Sequence, residues 1–583
     1  MKTCRCRCSP ASAGNRPNNP DSFPGKIMLR DLTYFRASPA QRAWLNLLAL
    51  ASLSCLLLLS DDFLQQLYTA NNRAELELNY VLVLWLLSAA LWLCNLRWLS
   101  GGILLLFASM QLMQLANISF FGEPLNAIDI QALINDPAEV RVAALASFTQ
   151  HWPALLCVAL PYALLLMLHL RVARQVTLPQ SRWALLLIAV VLLAKPYRAT
   201  YRNIDSFAAS PSRSALHNSL NAFSAWSVRL AFKPEVELPV APFAPYKLSS
   251  IPSGTRHVWL VVADSLRSDR LGVFGYERDT TPRLAEYLNG HPSAFVRPGI
   301  AAGVATDVSL PYLLNPIREP GMDLLLRTGE INLFRFARKA GFRTHWISSQ
   351  ESKLLAHLGS RYLDVSITRE DHPIRFLKRQ DRAVLEILER QRWAERNFVV
   401  LNLRTAHMPY ADNYRHEPSM QQWSDSGPSG QSNAYDNSVR YLDNLLAEII
   451  EDFEKLQGER YLIITGDHGQ LLGENGRWGH NDLVPEVSDV PFIVIGRDTR
   501  SDALQALSAE RWISHYEAGK WLAARLGTRI DNPNQEVNEY FVHGKLLFTD
   551  NFIQRVCETP SGLVHQSPKQ LSILLQQPER TAC

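Results

Sequence analysis

The chain has 583 residues, 47% of them hydrophobic, a formal net charge of +4 and eight cysteines. That length exceeds one ordinary domain, and the small net charge gives no case for nucleic acid as a partner. The cysteines form no disulfide framework: three crowd into Cys4-Arg5-Cys6-Arg7-Cys8, three (Cys55, Cys94, Cys157) sit in apolar runs, and only Cys557 and Cys583 are left to pair.

Residues 1–40 are polar, basic and Pro-containing, and read as a cytoplasmic, disordered tail. The CxCxC spacing is too tight for a zinc clip. No cleavable signal peptide is expected, because the charged stretch is too long and Asp61-Asp62 follow the first apolar run without a small-residue cleavage pattern. Five apolar runs follow, at 43–60, 78–96, 101–118, 152–170 and 183–194. Four approach the roughly 20 residues that span a bilayer; the fifth is short enough to be a buried helix instead. Lys26, Arg30, Arg36 and Arg42 precede the first run, and Arg171, Arg174 and Arg182 lie between the fourth and fifth. The first loop is read as carrying Asp61, Asp62, Glu75 and Glu77, and the third Glu123, Asp129, Asp136 and Glu139. The positive-inside rule then puts the N-terminus in the cytoplasm and everything after residue 195 outside it. The expected layout is a five-helix transmembrane domain at 41–195, a connecting segment at 196–252 and a soluble domain at 253–583.

In the connecting segment, Leu216, Leu220, Phe223, Trp226 and Leu230 recur at helical spacing. They suit a helix lying in the membrane interface with Trp226 as anchor, or equally one packed on the soluble domain. The Pro-rich stretch 234–252 reads as a semi-rigid linker. From residue 256 the pattern turns α/β, with strands expected at 257–263, 344–348, 397–403, 461–465 and 490–495 and helices at 330–339 and 436–453. Alternation of this kind predicts an α/β fold with a mostly parallel central sheet covered on both faces.

Chemistry collects at the predicted strand ends. The run Tyr461–Thr465 leads into Gly466-Asp467-His468-Gly469, an acid and an imidazole that suit Zn²⁺ or a similar ion. His480 follows twelve residues after His468, behind a Gly-rich loop. Asp264 ends the first strand and His407 follows the middle one. In a doubly wound sheet these ends converge on one edge, where ligands bind. Thr306, in a small-residue loop opening a helix, is the best candidate for a hydroxyl nucleophile; on spacing alone a plain helix cap explains it as well.

Val261–Leu284 (VVADSLRSDRLGVFGYERDTTPRL) resembles the opening motif of the sulfatase and alkaline-phosphatase-like superfamily. Together with Ala305-Thr306, Tyr435-Asp436-Asn437-Ser438, Asp467-His468-Gly469 and Gly479-His480, it is similar to the bacterial phosphoethanolamine transferases, which share the layout of five spans and a periplasmic catalytic domain. Ile130-Gln131 and Asn135-Asp136-Pro137-Ala138-Glu139 resemble that family's membrane-domain loop. The resemblance implies a zinc-dependent enzyme of the bacterial inner membrane. Asp264, Thr306, Asp467 and His468 would bind one Zn²⁺, with Thr306 as nucleophile. His407 and His480 would hold phosphoryl oxygens, a second divalent ion or the leaving group, and Glu139 would help bind the donor head group. Phosphatidylethanolamine would be the donor and a periplasmic glycolipid or glycan (lipid A, lipopolysaccharide core or glucan) the acceptor. Three features depart from the family: Asp264 stands where Glu is usual, most of the disulfides are missing, and Ala132 follows Gln131 where Asn is expected. A phosphoglycerol transferase or a sulfatase-like hydrolase would use the same metal and Thr306. A formylglycine sulfatase is excluded by the lack of a Cys/Ser-x-Pro-x-Arg element. A non-catalytic lipopolysaccharide sensor on the same fold is disfavoured by the six intact site residues.

Overall fold

The computed structural model describes residues 38–68, 76–121, 124–135, 137–172, 175–202, 207, 213–231, 241–355, 357–499, 504–536, 538–576 and 583. The expected disordered tail therefore lies almost wholly outside the described residues.

Helices form over all five apolar runs: α1 (Pro39–Tyr68), α2 (Leu78–Leu93), α3 (Arg97–Phe121), α5 (Pro137–Arg171) and α6 (Trp183–Ala199), with the short α4 (Ala127–Asn135) between α3 and α5. Among the described residues two segments, Pro39–Leu64 and Arg97–Phe120, are long and apolar enough to cross a membrane. Asp61 and Asp62, expected in a loop, instead sit inside α1 and are buried. The stretch after them, Phe63 to Tyr68, holds no Gly or Pro, so nothing stops the helix at the acids. The expected third loop is also partly helical. Asn126 and Asp129 cap α4 reciprocally, each side chain accepting from the other's backbone N–H at 2.7 and 3.1 Å.

The predicted connecting helix is α7 (Ala215–Ala225), its N-terminus capped by Ser214, and it continues through a π-turn at Trp226–Ala231. It packs on α1, α3, α4 and α6 and not chiefly on the soluble domain. Trp226 donates its indole N–H to the Gln131 side chain at 3.0 Å, so a part-buried polar contact occupies the group expected to anchor in lipid. The Pro-rich linker is partly structured too: Lys247–Ser250 pairs antiparallel with Thr528–Asp531.

The soluble domain is built on eight strands: β1 (His257–Ala263), β2 (Ala294–Ile300), β3 (Arg343–Ser348), β4 (Val365–Ile367), β5 (Asn397–Leu403), β6 (Arg460–Gly466), β7 (Asp489–Arg497) and β8 (Ile513–Ser514). Their order is β8-β2-β7-β6-β1-β5-β3-β4. The sheet is mixed: five of its seven strand pairs are parallel, as expected, and β7 alone runs antiparallel to its neighbours β2 and β6. A strand that returns beside its predecessor without a crossover helix must run antiparallel, and β6 reaches β7 through a loop and a small hairpin. Both faces are covered as expected. Val258, Leu260 and Val262 of β1 join one core, while Trp259, Val261 and Ala263 join the other. The helices α8 (Thr306–Leu314) and α10 (His515–Arg525) cover the first face and α9 (Gly430–Glu454) the second. A smaller antiparallel sheet follows, and its strand Phe552–Thr559 carries Cys557, which is disulfide-bonded to Cys583.

The two parts touch at defined points. Lys545 forms an ion pair with Asp129 of α4. Its neighbour Leu546 packs with Ala127, Ala199, Ala225 and Leu230. The end of α3 lies against Trp478-Gly479, the strand that leads into His480.

Candidate metal centre

Strand register positions the site. Ala263 at the end of β1 pairs with Gly466 of β6 on one side and Leu403 of β5 on the other, all three strands being parallel. The residues just beyond, Asp264 and Asp467, therefore emerge side by side. Backbone bonds carry the alignment past the strand ends: Asp264 N–H donates to Leu403 O at 3.0 Å and Asp467 N–H to Ala263 O at 3.3 Å. Gly466 and Gly469 are needed where they stand. A Cβ on Gly466 would come within 2.6 Å of Leu266 O, and one on Gly469 within 2.3 Å of Glu486 O.

Asp264, Asp467 and His468 present ligand atoms that all lie within 4.8 Å of one another, and all three residues are buried. His468 Nδ1 lies 2.8 Å from Gly469 O, so that nitrogen carries the proton and Nε2 keeps its lone pair. Nε2 faces Asp467 Oδ2 at 3.5 Å, Asp264 Oδ1 at 3.9 Å and Thr306 Oγ at 3.3 Å. Asp467 Oδ1 accepts from the backbone N–H groups of Ser265 (3.0 Å) and His468 (2.8 Å). Its Oδ2 is buried with no hydrogen-bond partner. An orphaned carboxylate oxygen beside an imidazole lone pair, a second carboxylate and a hydroxyl is a donor set that fits Zn²⁺.

Thr306 is the first residue of α8, behind an extended Ala305, and the helix has no side-chain cap. The plain-cap reading therefore does not hold, and the hydroxyl is left to face His468. His407 and His480 complete the surroundings: the His480 ring centroid is 4.5 Å from that of His468 and 5.6 Å from that of His407. The structure thus brings six predicted residues to one sheet edge. The seventh, Glu139, lies in the first turn of α5 and its side chain is outside the described residues.

Several supporting residues had no readable signal. Gln350, beyond β3, donates to Asp264 Oδ2 at 3.1 Å, and the Ser265 hydroxyl donates to Asp264 Oδ1 at 2.8 Å. Beneath the loop, Ser309 Oγ donates to Asp467 O at 2.6 Å, and His515 Nε2–H donates to Gly466 O at 3.0 Å while its Nδ1 accepts from Ala302 N–H. Burial holds the His515 imidazole down at about 4, so it stays neutral in this role. Tyr435, part of a motif singled out from the sequence, does not reach the centre. Its hydroxyl donates to Ser265 O at 2.8 Å and accepts from Arg267 N–H at 3.0 Å, fixing the loop that follows Asp264. Asp436 beside it is ion-paired to Arg278 at 2.7 Å.

Residues 256–517 match the sulfatase family. The chain is 25% identical over 295 residues to phosphoethanolamine transferase EptA of Helicobacter pylori, covering 48% of this chain and 54% of that protein. It is 26% identical over 449 residues to the putative transferase YhbX of Escherichia coli O157:H7, covering 73% and 78%. Among solved structures it is similar to the integral membrane protein lipooligosaccharide phosphoethanolamine transferase A of Neisseria meningitidis, with a TM-score of 0.55 at 18% identity, over 82% of this chain and 95% of that one. The chain spans about half the length of the first of these relatives. The class is therefore that of proteins with a sulfatase-family α/β domain. Within it, the chain is similar to proteins named phosphoethanolamine transferases.

Proposed function

We propose that the chain is a membrane-bound, zinc-dependent transferase that moves phosphoethanolamine from phosphatidylethanolamine to a glycolipid or glycan acceptor through a phosphothreonine at Thr306. The observation that carries this reading is the placement of the Thr306 hydroxyl 3.3 Å from His468 Nε2, at the point on which the Asp264 and Asp467 carboxylates also converge. Asp264, Asp467, His468 and Thr306 would hold the ion. When bound, Zn²⁺ would acidify the hydroxyl and neutralise phosphoryl charge.

The residues' own chemistry follows from their positions. Thr306 Oγ attacks the donor phosphorus, the bond from phosphorus to the diacylglycerol oxygen breaks, and that oxygen takes up the proton that Thr306 gives up. In the second displacement an acceptor oxygen attacks the same phosphorus, the bond to Oγ breaks, and Thr306 regains a proton. His407 and His480 stand where they can hold phosphoryl oxygens or pass these protons. The N-terminus of α8 turns its positive dipole end toward the same place, which favours an anionic group there. Glu139 is proposed to meet the donor's ammonium.

The proposed topology has five spans within 41–195, the tail 1–40 in the cytoplasm, the connection 196–252, and the domain 253–583 in the periplasm. The relative from Neisseria is named for a lipooligosaccharide acceptor, which supports a glycolipid here. Mass spectrometry of lipid A, core oligosaccharide and periplasmic glucans, with and without the gene, tests the reading. One fraction should shift by one phosphoethanolamine; no shift in any fraction would argue for the hydrolase or the sensor.

A further inference from the structure

We propose a second cation site, separate from the metal centre and built into the helical bundle around Asp61 and Asp62. These neighbours on α1 are 2% and 4% exposed. Each uses one oxygen in a structural bond: Asp61 Oδ2 accepts from Gln111 Nε2 of α3 at 2.8 Å, and Asp62 Oδ1 accepts from Ala215 N–H at the start of α7. The other oxygens, Asp61 Oδ1 and Asp62 Oδ2, are buried and have no hydrogen-bond partner. Among the described residues neither carboxylate is ion-paired to a Lys or Arg.

An independent feature points into the same place. The Tyr162 hydroxyl, on α5 and 3% exposed, is aimed at Asp61 and within electrostatic reach of Asp62. Gln114, one turn along α3 from Gln111 and 1% exposed, has both amide atoms unpartnered. Two adjacent carboxylates withdrawn from water without a counter-charge are strongly unfavourable, and acids inside apolar helices mark sites where a partner binds. The donors that meet there are all oxygens: two carboxylates and a phenol. Hard cations take that set, and two negative charges match Mg²⁺ or Ca²⁺. The bound ion would tie α1, α3 and α5 together beside the N-terminus of α7. The site does not depend on the proposed reaction.

The test is thermal unfolding of the purified full chain in detergent, with zinc kept saturating. Choline chloride is compared with MgCl₂ and CaCl₂ at matched ionic strength. Mg²⁺ or Ca²⁺ should raise Tm by about 2–4 °C over choline. Asp61→Asn, which keeps an acceptor for Gln111, should lose that rise while melting no lower than wild type in choline, because one uncompensated charge is gone. Asp467→Ala should keep the rise, which separates this site from the metal centre. If Asp61→Asn does not fold, bound Ca²⁺ per chain, counted by elemental analysis, should fall in Tyr162→Phe. No divalent-specific rise in the wild type would overturn the proposal. So would an Asp61→Asn protein that melts lower in choline and still responds, or a Ca²⁺ count that Tyr162→Phe leaves unchanged.

Discussion

Thr306 Oγ and His468 Nε2 lie 3.3 Å apart across 162 residues of sequence, one at the start of a helix and the other just past the end of a strand. With the His468 proton held by Gly469 O, the nitrogen that faces Thr306 can bind a metal ion or accept a hydrogen bond but cannot donate one. The contact therefore favours loss of the hydroxyl's proton.

Replacing Thr306 by Ala should lower transfer from fluorescent phosphatidylethanolamine at least about 1000-fold, the scale of losing a covalent nucleophile. Three metal ligands would remain, so zinc content should change little. Thr306→Ser should recover part of the activity, and only proteins with a hydroxyl here should yield a phosphoethanolamine adduct in intact-mass spectra. An adduct of undiminished yield on Thr306→Ala would place the nucleophile elsewhere.

Gln350 Nε2 donates to Asp264 Oδ2 and, at 3.5 Å, also reaches Leu403 O. Gln350→Ala should weaken zinc binding about 10–100-fold, the range found when groups supporting metal ligands are removed. Competition against a chromophoric chelator measures this, with the melting temperature of the zinc-free protein as the control for general damage. Asp467→Ala should lose zinc outright. Equal zinc affinity in wild type and Gln350→Ala would reduce the Gln350 bond to a packing detail.

His543 gives a prediction with a definite sign. Its ring is stacked on Tyr312 with centroids 4.0 Å apart, and burial pushes its pKa down to about 3. In the unfolded chain it titrates near 6.5. As pH falls through about 6.5 the unfolded state takes up a proton that the folded state refuses, so the folded state loses stability until about pH 3. Buried Asp443 and half-buried Glu517 act oppositely, with pKa values raised by desolvation to about 6 and about 7. The clean measurement is thus a difference: relative to His543→Gln, the wild type should lose Tm steadily between pH 7 and 5. Parallel Tm–pH curves for the two proteins would contradict the burial argument.

The bond between Cys557 and Cys583 closes a separation of 26 residues at the C-terminus. In the chain-entropy picture such a loop contributes about 3.5 kcal/mol. Cys583→Ser should lower the denaturant midpoint accordingly while leaving zinc content unchanged. A variant as stable as the parent would mean that the strand Phe552–Thr559 is held by its sheet neighbours alone.

What could be read from the sequence was whatever local pattern dictates. Runs such as His257–Ala263 and Arg460–Gly466 are apolar on both faces and end abruptly at an acid, so the strands and the convergence of Asp264 with Asp467 were legible. The direction of β7 was not, because an apolar run looks the same read either way. Gln350, Ser309 and His515 were invisible for another reason: a single polar residue gains its meaning from a partner far away in the chain. Asp61 and Asp62 misled outright. Charge normally ends an apolar helix, and only the packing of α3, α5 and α7 around α1 allows these two to stay inside.

The contact between the end of α3 and Trp478-Gly479 bears on kinetics. For a chain whose α1 and α3 cross a bilayer, it ties the Thr306 hydroxyl to a constant height above the lipid plane, since α3 cannot rise or sink without exposing apolar side chains. If the proposed transfer from a membrane lipid holds, turnover answers to the number of donor molecules per unit area of leaflet and not to their amount per volume of solution. Diluting the donor with inert lipid should slow the enzyme even when the total quantity in the tube is unchanged.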